Sequence, residues 1–264
     1  MDNLAKEIAQ LDAEQVERIL QQVSGLTAVV ISALTERAKE RSFRTVAPDG
    51  SVESETRSTV NTTSMRQIMR EVDRFETELQ SALYSETLSA MDAAAVATIA
   101  FLQSEVGAKN KYKVNVEETL GNKVLIGDRT FDQRTKLTAS DIANDVRKIV
   151  RQGLLAGEDV GSIINKVSQS VKDSDWKIIR IVESEIYTAY RYQFGETASK
   201  NGFDWIKIHE SFPRHPRRRQ HRCYPLANTD KYGMGKGVYK STDVEIFFPH
   251  PQCTSWLEVV EVLD

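Results

Sequence analysis

From Ser51 to Val106 the chain contains neither glycine nor proline. Within that stretch Met65, Ile68, Met69, Val72, Phe75, Leu79 and Leu83 recur every three or four residues, which puts apolar side chains on one face of an α-helix. Nothing in the stretch stops a helix once it has begun. The spacing therefore predicts one helix of roughly forty residues, about 60 Å long at 1.5 Å per residue. Ser64 followed by Gln67 reads as the capping box that opens it. A helix of that length must bury its apolar face against other helices. The small residues from Ala93 to Ala97 let a neighbour approach closely. Tyr84, Leu88 and Ile99 fall outside the main stripe and suggest contacts on a second face, making this half a docking platform.

The same periodicity organises most of the first two hundred residues. Leu4, Ile8, Leu11, Val16, Ile19 and Leu20 predict one short helix, and Leu26 to Ala38 a second. Residues 42–64 hold ten Ser or Thr with Pro48 and Gly50, which reads as loop or linker. Helical spacing breaks over 107–137, where a hairpin or an irregular excursion is expected. It returns at Ile142, Val146, Ile149 and Val150 behind a Ser140 cap, and at Val160, Ile163, Ile164, Val167 and Val171 behind an Asp159 cap. Trp176, Ile179, Val182, Ile186 and Tyr190 mark a last helix that runs to about Lys200, before Asn201-Gly202.

Beyond Gly202 the pattern changes. Residues 203–209, 244–248 and 256–263 are aromatic and β-branched, the composition of strands, and a polar loop separates them. The expected fold is α+β: a helical docking region over 1–137, then a domain over 138–264 with helices at 140–200 and a small sheet at 203–263 carrying a long basic loop. Charge shifts at the same place. The net charge of −3 conceals three acidic and nine basic side chains over 202–240, and all four histidines and both cysteines lie beyond Gly202.

Composition excludes several classes. With 40% hydrophobic and 28% charged residues the chain is neither disordered nor fibrous. The longest apolar run, Ala93 to Leu102 with Thr98 inside it, is about half the ~20 residues of a membrane helix, so no membrane span is expected. The charged amino terminus MDNLAKEIAQLD is unlike a signal peptide. Two cysteines make no disulfide framework, and a reducing compartment follows.

Arg214, Arg217, Arg218, Arg219 and Arg222 are five arginines in nine residues. Guanidinium forks match phosphate oxygens, so the cluster points to DNA, against a solvated loop or a protein-facing patch as the plainer readings. His221-Arg-Cys223 and His250-Pro-Gln-Cys253 together offer two His and two Cys, the donor types of a tetrahedral zinc site. His209 and His215 compete as ligands, and two buried thiols packed as small hydrophobes are the simpler reading. The expectation is a domain without metal, cofactor or catalytic residue. Gly233-x-Gly235-Lys236-Gly237 lacks the Ser or Thr and the following helix of a phosphate loop.

Taken in order, the last ninety residues resemble the phage head morphogenesis domain, the Mu F-like minor head protein family. Glu185, Ala189 and Tyr190 match its helix motif, Gly202 and Trp205 its turn and strand, and Cys223 its loop cysteine. His250, Pro251 and Cys253 match its terminal motif, and Trp256 to Val262 its closing strand. Glu183 stands where the family has Arg, Gln220 replaces the loop's first Cys, and Ser255 replaces the last Cys. The resemblance covers about 140–263 and implies a structural protein of a tailed-phage head. Such a protein associates with the portal and other head proteins, contacts phage DNA during packaging or delivery, and reaches the virion from the host cytoplasm. The alternative is a metal-dependent nuclease or toxin-like effector acting on nucleic acid.

Overall fold

The computed structural model describes residues 2–49, 51–122, 128–210 and 218–260. The chain is α+β. Helices α1 (Asp2–Glu36), α2 (Thr62–Glu105), α3 (Phe131–Leu155), α4 (Val160–Lys172), α5 (Asp175–Lys200) and α6 (Cys223–Asn228) accompany strands β1 (Lys39–Val46), β2 (Val52–Thr59), β3 (Trp205–His209), β4 (Val238–Lys240) and β5 (Trp256–Val260). They sort into two compact units, residues 19–83 with 136–178, and residues 1–18 with 84–135 and 179–264. Helices α1, α2, α3 and α5 each give residues to both, so this division cuts across the boundary expected after residue 137.

The first unit is a helix bundle carrying a hairpin. Its core is Ile19, Val23, Val30 and Leu34 of α1, Ile68, Val72, Phe75 and Leu79 of α2, Ile142, Val146 and Val150 of α3, and Ile163 and Val167 of α4. Helix α1 is continuous where two short helices are expected. Gly25 is its only breaker, and one interior glycine costs about 1 kcal/mol, less than a single buried Leu or Ile contributes. Helix α2 begins ahead of the Ser64–Gln67 pattern, because the Asn61 side chain accepts a bond from Ser64 N at 2.8 Å and does the capping. Gly153 lets α3 and α4 approach, since an added Cβ would collide with Ile163. Asp159 caps α4 as its position predicts, accepting from Gly161 N at 2.8 Å, and its other oxygen accepts from Ser58 N of β2 at 3.0 Å.

Residues 42–64 are a further correction. Most of that segment is an antiparallel hairpin, paired without a break from Lys39↔Thr59 to Val46↔Val52. Threonine is polar yet β-branched, so a Thr-rich segment that reads as linker by polarity can still pair as strand. The Asp49 carboxylate shapes the turn by accepting from Ser51 N at 2.9 Å.

The second unit holds a three-stranded antiparallel sheet in the order β4-β3-β5, with Ile206↔Tyr239 and Ile206↔Val259 in register. Gly202 at φ +77° ends α5, where Phe203 N reaches back to Ala198 O at 3.0 Å. The strand expected over 244–248 is instead a 3₁₀ turn, Val244–Ile246, because its buried residues Ile246 and Phe247 are adjacent rather than alternating. The polar loop contains α6, which the sequence pattern passes over. Helix α3 starts at Phe131 rather than behind Ser140. Thr130 N donates to Gln133 Oε1 at 3.0 Å and Gln133 N to Thr130 Oγ1 at 3.3 Å, a reciprocal capping box. Tyr84 stacks on Phe131 with centroids 5.1 Å apart and Ile99 is buried, so these two residues of the expected docking face serve the unit's own packing.

Helices α1 and α2 each contain an 18-residue window, of mean hydropathy 1.3 and 1.2 respectively, enough by length and composition to cross a membrane. Run length misses this because a helical stripe interleaves apolar with small polar residues. Core helices share the pattern, and the stripes named above are buried.

Candidate functional site

Helix α5 is buried on nearly every side from Ile181 to Ala198, and several of the buried residues are polar: Ser184, Glu185, Arg191, Gln193 and Thr197. Each must find a partner inside the protein. Arg191 is fully buried and donates Nε to Phe247 O at 2.9 Å and Nη1 to Cys253 O at 2.6 Å, with Ser255 O at 3.4 Å. Among the described residues the segment between the 3₁₀ turn and β5 has no ladder partner, so one guanidinium organises its carbonyls. The Ser184 hydroxyl accepts from Gln252 N at 2.8 Å, and the Tyr190 hydroxyl accepts from Leu257 N at 2.9 Å where β5 begins. Burial raises the Tyr190 pKa, so the phenol stays neutral. Gly195 admits the Phe247 ring against the helix, where any Cβ would overlap it. Gln252 adopts φ +56°, a left-handed conformation that turns Cys253 inward.

This frame brings together three of the residues singled out in the sequence. Cys223 Sγ at the start of α6, His250 Nε2 and Cys253 Sγ all lie within 4.8 Å of one another. His250 Nε2 is 3.2 Å from Cys223 Sγ, and Cys253 Sγ is 3.0 Å from Ser255 Oγ. His250 Nδ1 lies 2.7 Å from Pro251 O. A carbonyl only accepts, so Nδ1 carries the proton and Nε2 faces the thiols. The His221 ring meets the His250 ring edge-on, centroids 4.6 Å apart.

Electrostatics favours the thiolate. Burial pushes the Cys253 thiol up, but the Cys223 hydrogen bond, the Arg191 charge and His250 outweigh it and bring it well below the ordinary thiol range. Burial pulls the His250 imidazole down, yet its bond to Cys253 and the Pro251 carbonyl hold it above its usual value. Both cysteines are buried, 3% and 0% exposed, which denies a substrate the access a nucleophilic thiolate needs. Among the described residues, Cys223, His250 and Cys253 are the group able to hold a metal.

The other candidates separate from this centre. His209 stacks face to face on Trp256 at 3.7 Å and bonds Glu258 at 2.6 Å. Burial keeps its pKa low despite that carboxylate. Arg214, His215 and Arg217 lie outside the described residues. Arg218 opens a 3₁₀ turn, Arg218–Gln220, and Arg219 and Arg222 are exposed. Gly233, Gly235 and Gly237 all have positive φ, backbone that glycine adopts without steric cost. Ala189 and Tyr190 are buried in α5, Pro251 is exposed, and Trp205 meets Tyr232 edge-on at 5.5 Å. Glu185 is buried against Arg134, whose Nε and Nη2 donate to its Oε1 at 3.0 and 2.6 Å. Arg134, Ser184, Arg191 and Gln193 are the residues the sequence pattern passes over. Their one visible signal is a run of polar side chains on a helix flanked by buried aromatics. Comparison with protein-family profiles, with curated proteins and with solved structures finds no match to this chain.

Proposed function

We propose that the chain is a structural minor head protein of a tailed phage, associating with the portal or inner capsid and assisting head assembly, DNA packaging or delivery. The observation that carries this reading is convergence. The resemblance rests on short motifs scattered from Glu185 to Val262, and part of that set is drawn together beside one helix. Tyr190 holds the head of β5, Arg191 beside it grips the Cys253 carbonyl, and His250 touches Cys223. A chance string of weak motifs has no reason to pack together, whereas motifs that describe one fold do. Exposed Arg219 and Arg222 add a surface suited to DNA phosphates.

The test is co-expression of the full chain with portal and scaffold genes found beside its own, followed by gradient sedimentation. The chain should travel with assembled particles at low copy and be lost from particles built without portal. A chain that stays at the top of the gradient while complete heads form overturns the proposal, and nuclease activity of the purified chain would point to the enzymatic alternative.

A further inference from the structure

We infer that Cys223, His250 and Cys253 bind a structural Zn²⁺ ion, with His221 as the fourth ligand. The site is independent of the head-protein reading and runs against the metal-free expectation drawn from the sequence.

Four observations carry it. First, the donor atoms already cluster as a small cation requires. A tetrahedron with Zn–S bonds of about 2.3 Å has an S–S edge of about 3.8 Å, and the three atoms lie within 4.8 Å of one another with one edge at 3.2 Å. Second, the neutral His250 ring carries its proton on Nδ1, bonded to a main-chain carbonyl, which leaves the Nε2 lone pair facing the sulfurs. A carbonyl bond on the nitrogen away from the metal is what orients metal-ligating histidines. Third, His250-Pro-Gln-Cys253 has the two-residue spacing of zinc-ligand pairs, and the left-handed Gln252 aims its second member inward. Fourth, the frame is prebuilt, since Arg191 and Ser184 fix the segment's main chain and Ser255 Oγ bonds the Cys253 sulfur.

The missing family cysteines do not argue otherwise. Gln220 is exposed, and Ser255 already serves as a hydrogen-bond partner of Cys253. His221, outside the cluster of three but with its ring edge-on to that of His250 at 4.6 Å between centroids, completes the set instead. On binding, the protons that the cysteine and histidine donor atoms share pass to solvent, and two thiolates with two neutral imidazoles leave the Zn²⁺ complex uncharged. A neutral complex can stay buried where a bare ion could not. The site is closed, so the ion joins the start of α6 to the entry of β5 as a staple rather than a reaction centre.

The test uses the full chain, expressed with zinc and purified without chelator. Elemental analysis should find one zinc per chain, and Co²⁺ exchange should produce the intense tetrahedral absorption and the thiolate-to-cobalt charge-transfer band of a two-sulfur site. Cys223→Ser, Cys253→Ser and His250→Ala should each reduce zinc to background, and His221→Ala should weaken its affinity at least tenfold. Folded zinc-free protein, a Cys223–Cys253 disulfide, or zinc retained by Cys253→Ser overturns the site. Unchanged affinity in His221→Ala overturns the fourth ligand. Should the serine variants fail to fold, the cobalt spectrum of the unsubstituted chain decides, and absence of the charge-transfer band refutes the inference.

Discussion

Replacing Arg134 with methionine strands a buried carboxylate. Glu185 is 2% exposed, and Arg134 supplies two hydrogen bonds to its Oε1 while its own side chain is 19% exposed. Methionine keeps most of the aliphatic packing, so the change removes charge and hydrogen bonds rather than volume. Breaking a buried pair in this way costs about 3–5 kcal/mol, and the lower end applies here because Arg134 is partly in water. The loss should depend on pH. In the native protein burial outweighs Arg134 and holds the Glu185 pKa above its ordinary value of 4.5. Whatever stability that raised value contributes is fully present below the unfolded pKa and is lost as pH rises through the folded one. Without Arg134 the folded pKa climbs further. The variant then sheds extra stability with rising pH, at up to about 1.4 kcal/mol per unit for one proton. Urea denaturation followed by tryptophan fluorescence should show a deficit of about 1 kcal/mol near pH 4.5, where hydrogen bonding to a protonated carboxyl is what remains to lose. Near pH 7.5 it should reach about 3 kcal/mol. Adding Glu185→Gln to Arg134→Met should recover most of that, since no stranded charge remains. A deficit below about 1 kcal/mol at the higher pH, or an equal deficit at both pH values, refutes the reasoning.

Two further outcomes follow from the same packing and charge arguments. Gly195→Ala should destabilise by about 1–3 kcal/mol because its Cβ overlaps the Phe247 ring, whereas Gly25→Ala in α1 meets nothing within 4 Å and should stabilise by up to about 1 kcal/mol. Opposite signs in paired thermal melts check this, and equal signs refute the close-approach argument. Changing Arg214, Arg217, Arg218, Arg219 and Arg222 to alanine should weaken duplex binding alike for every sequence. The log–log salt slope should flatten by about 0.9 for each phosphate no longer neutralised, and an unchanged slope identifies a protein-facing loop.

What the sequence determines is set by one-sided burial. Helix α2 is legible because its buried residues recur at helical spacing against a polar outer face, and Asp159 is legible as a cap because capping is a local bond. The change of period after Gly202 announces β3 and β5 for the same reason. Composition misleads where chemistry has two uses, as with the Thr-rich segment that pairs as β1 and β2. Periodicity goes silent where burial is all-round. Along α5, Arg191 and Gln193 are as buried as Ile186 and Phe194, so no stripe marks them. Arg191 meets carbonyls 56 to 64 residues downstream, on a segment that forms no ladder among the described residues, and Gln193 meets Tyr112 O and Val114 N, 81 and 79 residues upstream. The four Cys and His candidates are readable as a set, but chain order does not say which ones meet. Tertiary structure decides that, because the Arg191 clamp and the turn at Gln252 carry Cys253 and His250 to Cys223 while β3 takes His209 away to Trp256 and Glu258.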